Sequence, residues 1–301
     1  MTGLVQILIE GVLVGLVYGL VAISFVVIYR ASKIINLAQG EVLVCGAFLL
    51  WTFTEGARGA GIDIPLPVGL GLTVLACVGF GMALERAIFR PLIGQAGFTI
   101  FMAGVALLIL LRGVAQLVWG AQSRTVPVIL PEGALALGPF TLNTRLLIGA
   151  VFTVALTFAL HAFFTRSRLG LGLGLAAVAE DHTTALSLGV SVRQAIAVAW
   201  VLGTLLATAA AVVLLSGSIL SLEVAGIGFK ALPVALLGGL ESIRGAPLAG
   251  IIIGVLEALA ITYLDPLTNG AASGVLPYAA MIAVLLIRPY GLFGWRKIER
   301  L

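Results

Sequence analysis

Charge is what this chain of 301 residues has least of. Only 10% of it is Asp, Glu, Lys or Arg, against roughly 25% in a soluble domain, too little to coat an aqueous surface. With 61% hydrophobic residues, a mean hydropathy of +1.19 and repeated apolar runs of at least ~18 residues, a water-soluble fold is excluded in favour of a polytopic membrane protein. Cysteine is scarce too: Cys45 and Cys77 both lie in apolar runs, where a thiol behaves as a small hydrophobe rather than as a disulfide or metal ligand. His161 and His182 stand alone, with no second ligand at metal spacing, so no metal site is assigned. The phosphate loop G-x-x-x-x-G-K-[ST] is missing, and ATP binding by that route goes with it. So are Ser-His-Asp and H-E-x-x-H patterns, which leaves the chain a non-catalytic one with no cofactor of its own. The first residues show neither a positive n-region nor an A-x-A site, so the first apolar run is expected to be retained.

What remains is helix of membrane length. Apolar runs fall at about 4–29, 37–54, 66–87, 98–119, 146–164, 194–216, 246–264 and 273–288; at 1.5 Å per residue the longer ones reach ~30 Å, enough to cross a bilayer. A further run, 230–243, is too short to cross, rich in glycine and opened by Lys230 and Pro233. It reads as a re-entrant or broken helix. The expected fold is an all-α polytopic membrane protein with about eight transmembrane helices plus that broken one. No linker or low-complexity tract divides it, so residues 1–301 read as a single transmembrane domain. Two weakly related halves are visible. One has the break N-L-A-Q-G-E at Asn36–Glu41, the other G-G-L-E-S-I-R-G-A-P at Gly238–Pro247. Matching breaks in two halves point to a pathway near the bilayer midplane.

Basic residues fix an orientation. Arg30, Lys33, Arg86, Arg90, Arg166, Arg168, Arg193, Arg244 and the tail with Arg288, Arg296, Lys297 and Arg300 fall on one side, and only Arg58, Arg124 and Arg145 on the other. The crowded side is the cytoplasmic one, which places the N-terminus outside and the C-terminus inside. It also makes cytoplasmic the acidic stretch A-A-V-A-E-D-H-T-T-A-L-S-L-G-V, Ala176–Val190. There Ala179, Glu180 and Asp181 are expected to open a short helix with acids at its positive end, and Gly189 to close it in a left-handed cap. Such a helix is either a handle for a cytoplasmic partner or an amphipathic helix lying on the membrane. The outside loop 120–145, with three prolines, reads as an ordered cap too small for a catalytic domain.

Within the spans, Gly11, Gly15 and Gly19 repeat every fourth residue, as do Gly250 and Gly254. Small residues so spaced let two backbones approach, either inside this chain or against another membrane chain. Four acids sit in or near spans, where ionisable groups are expensive and face a partner or a wet cavity. Glu85 is expected to pair with Arg86, and Glu10 to sit near the outer headgroups. Glu257, midway along its run, reads as a pathway or coupling carboxylate or as a structural hydrogen bond. Glu41, beside Asn36 and Gln39, either caps freed backbone or lines a route. Arg112 either snorkels to the headgroups or faces substrate.

At these residues a resemblance enters. I-I-N-L-A-Q-G-E, Ile34–Glu41, resembles the I-N-F-A-H-G-E signature of branched-chain amino-acid ABC-transporter permeases of the shorter type, with Gln39 for His and Leu37 for Phe. A-E-D-x(5)-S-L-G-V at 179–190, G-F-K-A-L-P-V-A-L-L-G-G-L-E-S-I-R-G-A-P-L-A-G at 228–250 and G-V-L-E-A-L at 254–259 follow in that family's order, over nearly the whole chain. The resemblance implies a subunit of a binding-protein-dependent importer in a bacterial inner membrane. Its implied partners are a second, related permease, two cytoplasmic ATPases carrying ATP and Mg, and an external substrate-binding protein. It implies that 176–190 is the coupling helix docked on an ATPase. There Glu180 and Gly189 match the E-A-A…G pattern, Asp181 stands where Ala is common, and Ala179 and Leu188 complete the contact. Asn36, Gln39, Glu41, Lys230, Gly238, Gly239 and Glu257 are the candidate pathway residues. The rival readings are an ion-coupled transporter or channel working without ATPases through Glu257 or Glu41, and a membrane scaffold that recruits a soluble partner. The cargo is left open among branched-chain and other amino acids, urea, short amides and small organic acids.

Overall fold

The computed structural model describes residues 2–166, 171–180, 182–187 and 189–294. The described chain is predominantly helical, as the composition demands. Among the described residues six helices are long and apolar enough to cross a membrane: Gly3–Ser32, Leu66–Leu92, Gly97–Trp119, Thr144–Thr165, Val192–Leu215 and Gly245–Thr268. The other two expected spans are α2, Gln39–Trp51, which runs on through Thr52–Gly59, and α11, the 16-residue Ala272–Ile287. The remaining long elements are α1 (Thr2–Ser32), α3 (Leu66–Leu84), α4 (Gly97–Trp119), α5 (Thr144–Arg166), α8 (Val192–Leu215) and α10 (Gly245–Leu259). The short run expected at 230–243 is α9, Gly226–Gly238, whose 13 residues extend only about 20 Å. By internal contact the chain forms two compact units, residues 1–26, 133–161 and 230–301 in the first and 27–132 and 162–229 in the second.

In the first unit the two glycine repeats find each other. Gly11 meets Gly254 and Val255, Gly15 meets Gly250, and Gly19 meets Pro247, so α1 and α10 run antiparallel with backbones in contact. A Cβ added at Gly19 would stand 2.8 Å from the Pro247 Cα, and one at Gly15 or Gly250 would strike the other's carbonyl oxygen. The repeats are therefore packing within this chain. Beside this seam Leu13, Leu16, Leu142 and Ala150 form an apolar cluster. A hairpin of β2 (Ala134–Leu137) and β3 (Phe140–Asn143) leads into α5. Gln6 grips the hairpin with both ends of its amide: Nε2 donates to the Thr141 carbonyl at 2.6 Å and Oε1 accepts the Thr141 N–H at 3.2 Å. Asn143 caps α5 by accepting the N–H groups of Arg145 and Leu146 at 3.0 and 3.3 Å, two of the donors a helix start leaves open.

In the second unit α2, α3 and α8 pack on one another. Gly46 admits Thr208, Gly81 admits Thr204, and the stack of Phe89 on Trp200, centroids 4.2 Å apart, fills the space between. Both cysteines are buried as small apolar residues, Cys77 Sγ lying 3.3 Å from Thr208 Oγ1. The run after α2 widens into a π-turn at Thr52–Gly56, where Thr52 and Thr54 donate back to the Phe48 and Leu50 carbonyls at 2.8 and 2.7 Å. A second π-turn, Glu85–Phe89, explains a departure from the sequence reading. Glu85 pairs with Arg90 through two hydrogen bonds of 3.0 and 3.1 Å, and not with its neighbour Arg86. Adjacent residues on a helix do not face each other, whereas the wider turn brings i and i+5 to one side. The proline-bearing loop is ordered: β1 (Arg124–Thr125) pairs with β4 (Ile219–Leu220), and Ser216 Oγ accepts the N–H groups of Ile129 and Leu130, both at 2.8 Å.

Candidate functional site

The first break begins where α1 stops. Lys33 adopts a left-handed conformation (φ 57°) and its N–H closes on the Tyr29 carbonyl at 2.7 Å. Asn36 then folds the chain back into helix: its Oδ1 accepts the Ala38 N–H at 3.1 Å and its Nδ2 donates to Gln39 Oε1 at 2.8 Å. Gln39 Nε2 reaches α8 and donates to the Gly203 carbonyl at 3.1 Å. Asn36 and Gln39 are thus joined in one buried network, and Gly40 beside them sits against the Ala225 carbonyl.

Glu41, the next residue, is 2% exposed, and its Oε2 has no hydrogen-bond partner. Its nearest cation is Arg112 of α4, whose Nη1 lies 4.0 Å from Glu41 Oε1 while Nη2 donates to Glu223 Oε1 at 2.6 Å. Arg112 thus stands between two carboxylates, a third arrangement beside the snorkelling and substrate-facing ones. Glu223 was not among the sequence candidates. An arginine inside an apolar run needs an acid, and pairing it with the acid of the short S-L-E-V-A-G segment is the signal that could have found it.

In the first unit Lys230 and Glu257 are brought together: Nζ donates to Glu257 Oε1 at 2.5 Å. The carboxylate is buried and the lysine half-buried, and Glu257 lines a cavity with Tyr18, Glu10 and Thr262. Tyr18 is the second residue that sequence reading missed, because a tyrosine inside a span carries no charge to flag it. Gly238 and Gly239 end α9. Gly239 takes φ +93°, Gly238 lies against Gly245, and Gly239 against Gly294. These two glycines make a close turn and bring no polar group to the Lys230–Glu257 pair.

The acidic stretch departs from expectation at its start. The helix α6 runs Leu171–Glu180, so Ala179 and Glu180 stand at its C-terminal end, where the helix dipole disfavours an acid. The alanine- and leucine-rich run before them is itself helix-forming, and buried Leu175 and Val178 anchor it in the packing with α8. A second short helix, α7, spans His182–Ser187 and closes as expected: Gly189 has φ +78°, its N–H reaches the Leu186 carbonyl at 3.0 Å, and the Val190 N–H reaches the Ala185 carbonyl at 3.0 Å. That pair of bonds is a Schellman motif. Asp181 and Leu188 lie outside the described residues.

Each unit thus holds an ion pair with a buried carboxylate, Arg112–Glu41 in one and Lys230–Glu257 in the other, and the loop helix α7 is capped. Comparison with known proteins gives the same direction. The family described as "Branched-chain amino acid transport system / permease component" matches residues 7–285. The high-affinity branched-chain amino acid transport system permease protein BraD of Pseudomonas aeruginosa is 33% identical over 98% of this chain and 97% of its own length. The corresponding LivH proteins of Salmonella typhimurium and Escherichia coli are 29% and 28% identical, each over 97% of this chain and 96% of theirs.

Proposed function

Since the chain belongs to the branched-chain amino-acid ABC permease family, and is a multi-pass membrane protein, we propose that its cargo is a branched-chain amino acid or a close relative, carried inward. The observation that carries this reading is the match to a named amino-acid permease across 98% of the chain. It supports the ATP-driven importer and not the ion-coupled alternative. The working assembly is this chain with a second related permease, two cytoplasmic ATPases and an external binding protein, in a bacterial cytoplasmic membrane with the N-terminus outside. The chain itself is a non-catalytic subunit; ATP and Mg belong to the ATPases.

In this reading α6, α7 and the Gly189 cap form the coupling element, with Ala179, Glu180, Asp181 and Leu188 on the ATPase contact. ATP-driven approach of the ATPases moves that element, and the packed spans follow as rigid bodies. Asn36, Gln39, Glu41, Lys230, Gly238, Gly239 and Glu257 line or gate the route. The buried Asn36–Gln39–Gly203 contact and the half-buried Lys230–Glu257 pair support a role in holding one state of it.

Affinity purification from native membranes, with this chain as bait and mass spectrometry of what accompanies it, tests the assembly. Two ATPase polypeptides (or two copies of one) and a related permease are expected. Recovery of this chain alone would refute it. Uptake of labelled leucine, isoleucine and valine into vesicles holding the recovered complex tests the cargo.

A further inference from the structure

The hairpin that leads into α5 has one apolar side and one small or polar side. Its register pairs Ala134 with Asn143, Leu135 with Leu142, Ala136 with Thr141 and Leu137 with Phe140. Residues directly opposite share a face and successive residues alternate. Leu135, Phe140 and Leu142 therefore stand on one side, and Ala134, Ala136, Thr141 and Asn143 on the other. Only part of the apolar side is covered. Leu142 is buried in the cluster with Leu13, Leu16 and Ala150, and Phe140 is half-buried, but Leu135 is 47% exposed. The turn is tight, two residues with Gly138 at φ +63°, as a type II′ hairpin asks of its first turn residue.

Two spans fix the level of this hairpin. Asn143 caps α5, and Gln6 near the start of α1 holds Thr141, so the strands lie at helix ends, where hydrocarbon gives way to water. The apolar side also continues onto α5. Leu147 packs on the same cluster as Leu142, and Val151, Val154 and Phe158 follow it along one stripe of the helix, all three exposed. No residue from Gly133 to Thr144 is charged. We infer that the hairpin is an interfacial lipid contact, with Leu135 and Phe140 resting on the acyl chains and Ala136 and Thr141 turned to the headgroups and water. Continuity with the exposed stripe of α5 selects lipid as the occupant. A two-stranded ribbon keeps unpaired N–H and C=O groups along its edges, which hydrocarbon cannot satisfy, so it stays at the interface. A soluble partner fits less well, because such interfaces surround an apolar centre with a polar rim. The contact does not depend on the importer assignment, so either can fail without the other.

The test is spin-label accessibility in the full-length chain reconstituted into phosphatidylcholine vesicles. A nitroxide on Leu135→Cys is compared with one on Ala136→Cys, on the opposite face. Cys45 and Cys77 are buried, and the unaltered chain carried through the labelling reaction is the blank. Oxygen concentrates in the bilayer and a nickel chelate in water. The label at position 135 should collide several-fold more with oxygen than with the chelate, and the label at position 136 should show the reverse. Two labels that behave alike, or a label at 135 open to the chelate, overturns the proposal; the second result is the one expected of a face kept for a soluble protein. If a variant does not fold, the unaltered chain gives the second reading. Phosphatidylcholine with a diazirine high on its acyl chain should, on irradiation, leave adducts in 133–143 as well as in Val151–Phe158. Adducts in α5 with none in the hairpin overturn the proposal equally.

Discussion

Gln39 donates its side-chain amide to the carbonyl of Gly203, 164 residues further along the chain and 3.1 Å away. That bond ties the break before α2 to the middle of α8, and through Gln39 Oε1 it includes Asn36. A motif legible as eight consecutive letters is therefore also a long-range fastening.

Removing it has a readable cost. Gln39→Ala removes the extra bond to the Gly203 carbonyl, which keeps its partner within α8, and leaves the buried Asn36 Nδ2 without its acceptor, at about 1–3 kcal/mol for the orphaned group. The unfolding midpoint in detergent should fall by several degrees and uptake should fall with it. Gln39→His, the residue of the resembled signature, should keep more of both. Equal loss in the two variants would argue that the network does not hold the break.

The seam between α1 and α10 makes a sharper demand. Gly15→Val places a branched side chain against the Gly250 backbone, and little folded protein should survive purification, as judged by gel filtration. Gly113→Ala is the control. Nothing lies within 4 Å of a Cβ there, and alanine in mid-helix gains about 0.5–1 kcal/mol over glycine.

Arg112 and Glu223 should separate cleanly. Glu223 is 84% exposed along its side chain, so Glu223→Ala should cost less than about 1 kcal/mol. Arg112→Ala strips buried Glu41 of its nearest cation, an uncompensated charge of the kind that costs more. Adding Glu41→Gln to Arg112→Ala should recover part of the loss. Melting midpoints for the two single variants and the pair form the cycle that reads this coupling.

On the proposed coupling element, Glu180→Lys with Asp181→Lys should uncouple ATP hydrolysis from uptake in the assembled complex while the spans remain folded. The measurement is substrate-stimulated ATPase activity beside transport in the same vesicles. Unchanged values of both would remove Glu180 and Asp181 from the ATPase contact.

Much of this architecture was legible because a bilayer makes it so. Apolar length located the six long helices, the shorter α2 and α11 and the short α9, and the left-handed cap at Gly189 followed from a glycine after a helical run. Spacing revealed the two glycine repeats but not that they face each other, since a stripe of small residues names no partner. Glu85 was assigned to Arg86 because a regular helix was assumed, and the π-turn that hands it to Arg90 has no sequence signature in E-R-A-I-F. Glu41 and Glu257 were visible as misplaced charges; Glu223 and Tyr18 acquire meaning only when folding sets them beside those charges. The start of α6 was misplaced because two acids were given more weight than the leucines before them.

The glycine seam has a mechanical consequence. Each backbone sits in a notch of the other, so α1 and α10 cannot slide past one another by a fraction of a tooth. The next equivalent seating is four residues away, about 6 Å along the axis. Within that compact unit the two helices mesh like a pair of toothed racks. A displacement along one helix shorter than that step must carry the other with it or part the seam.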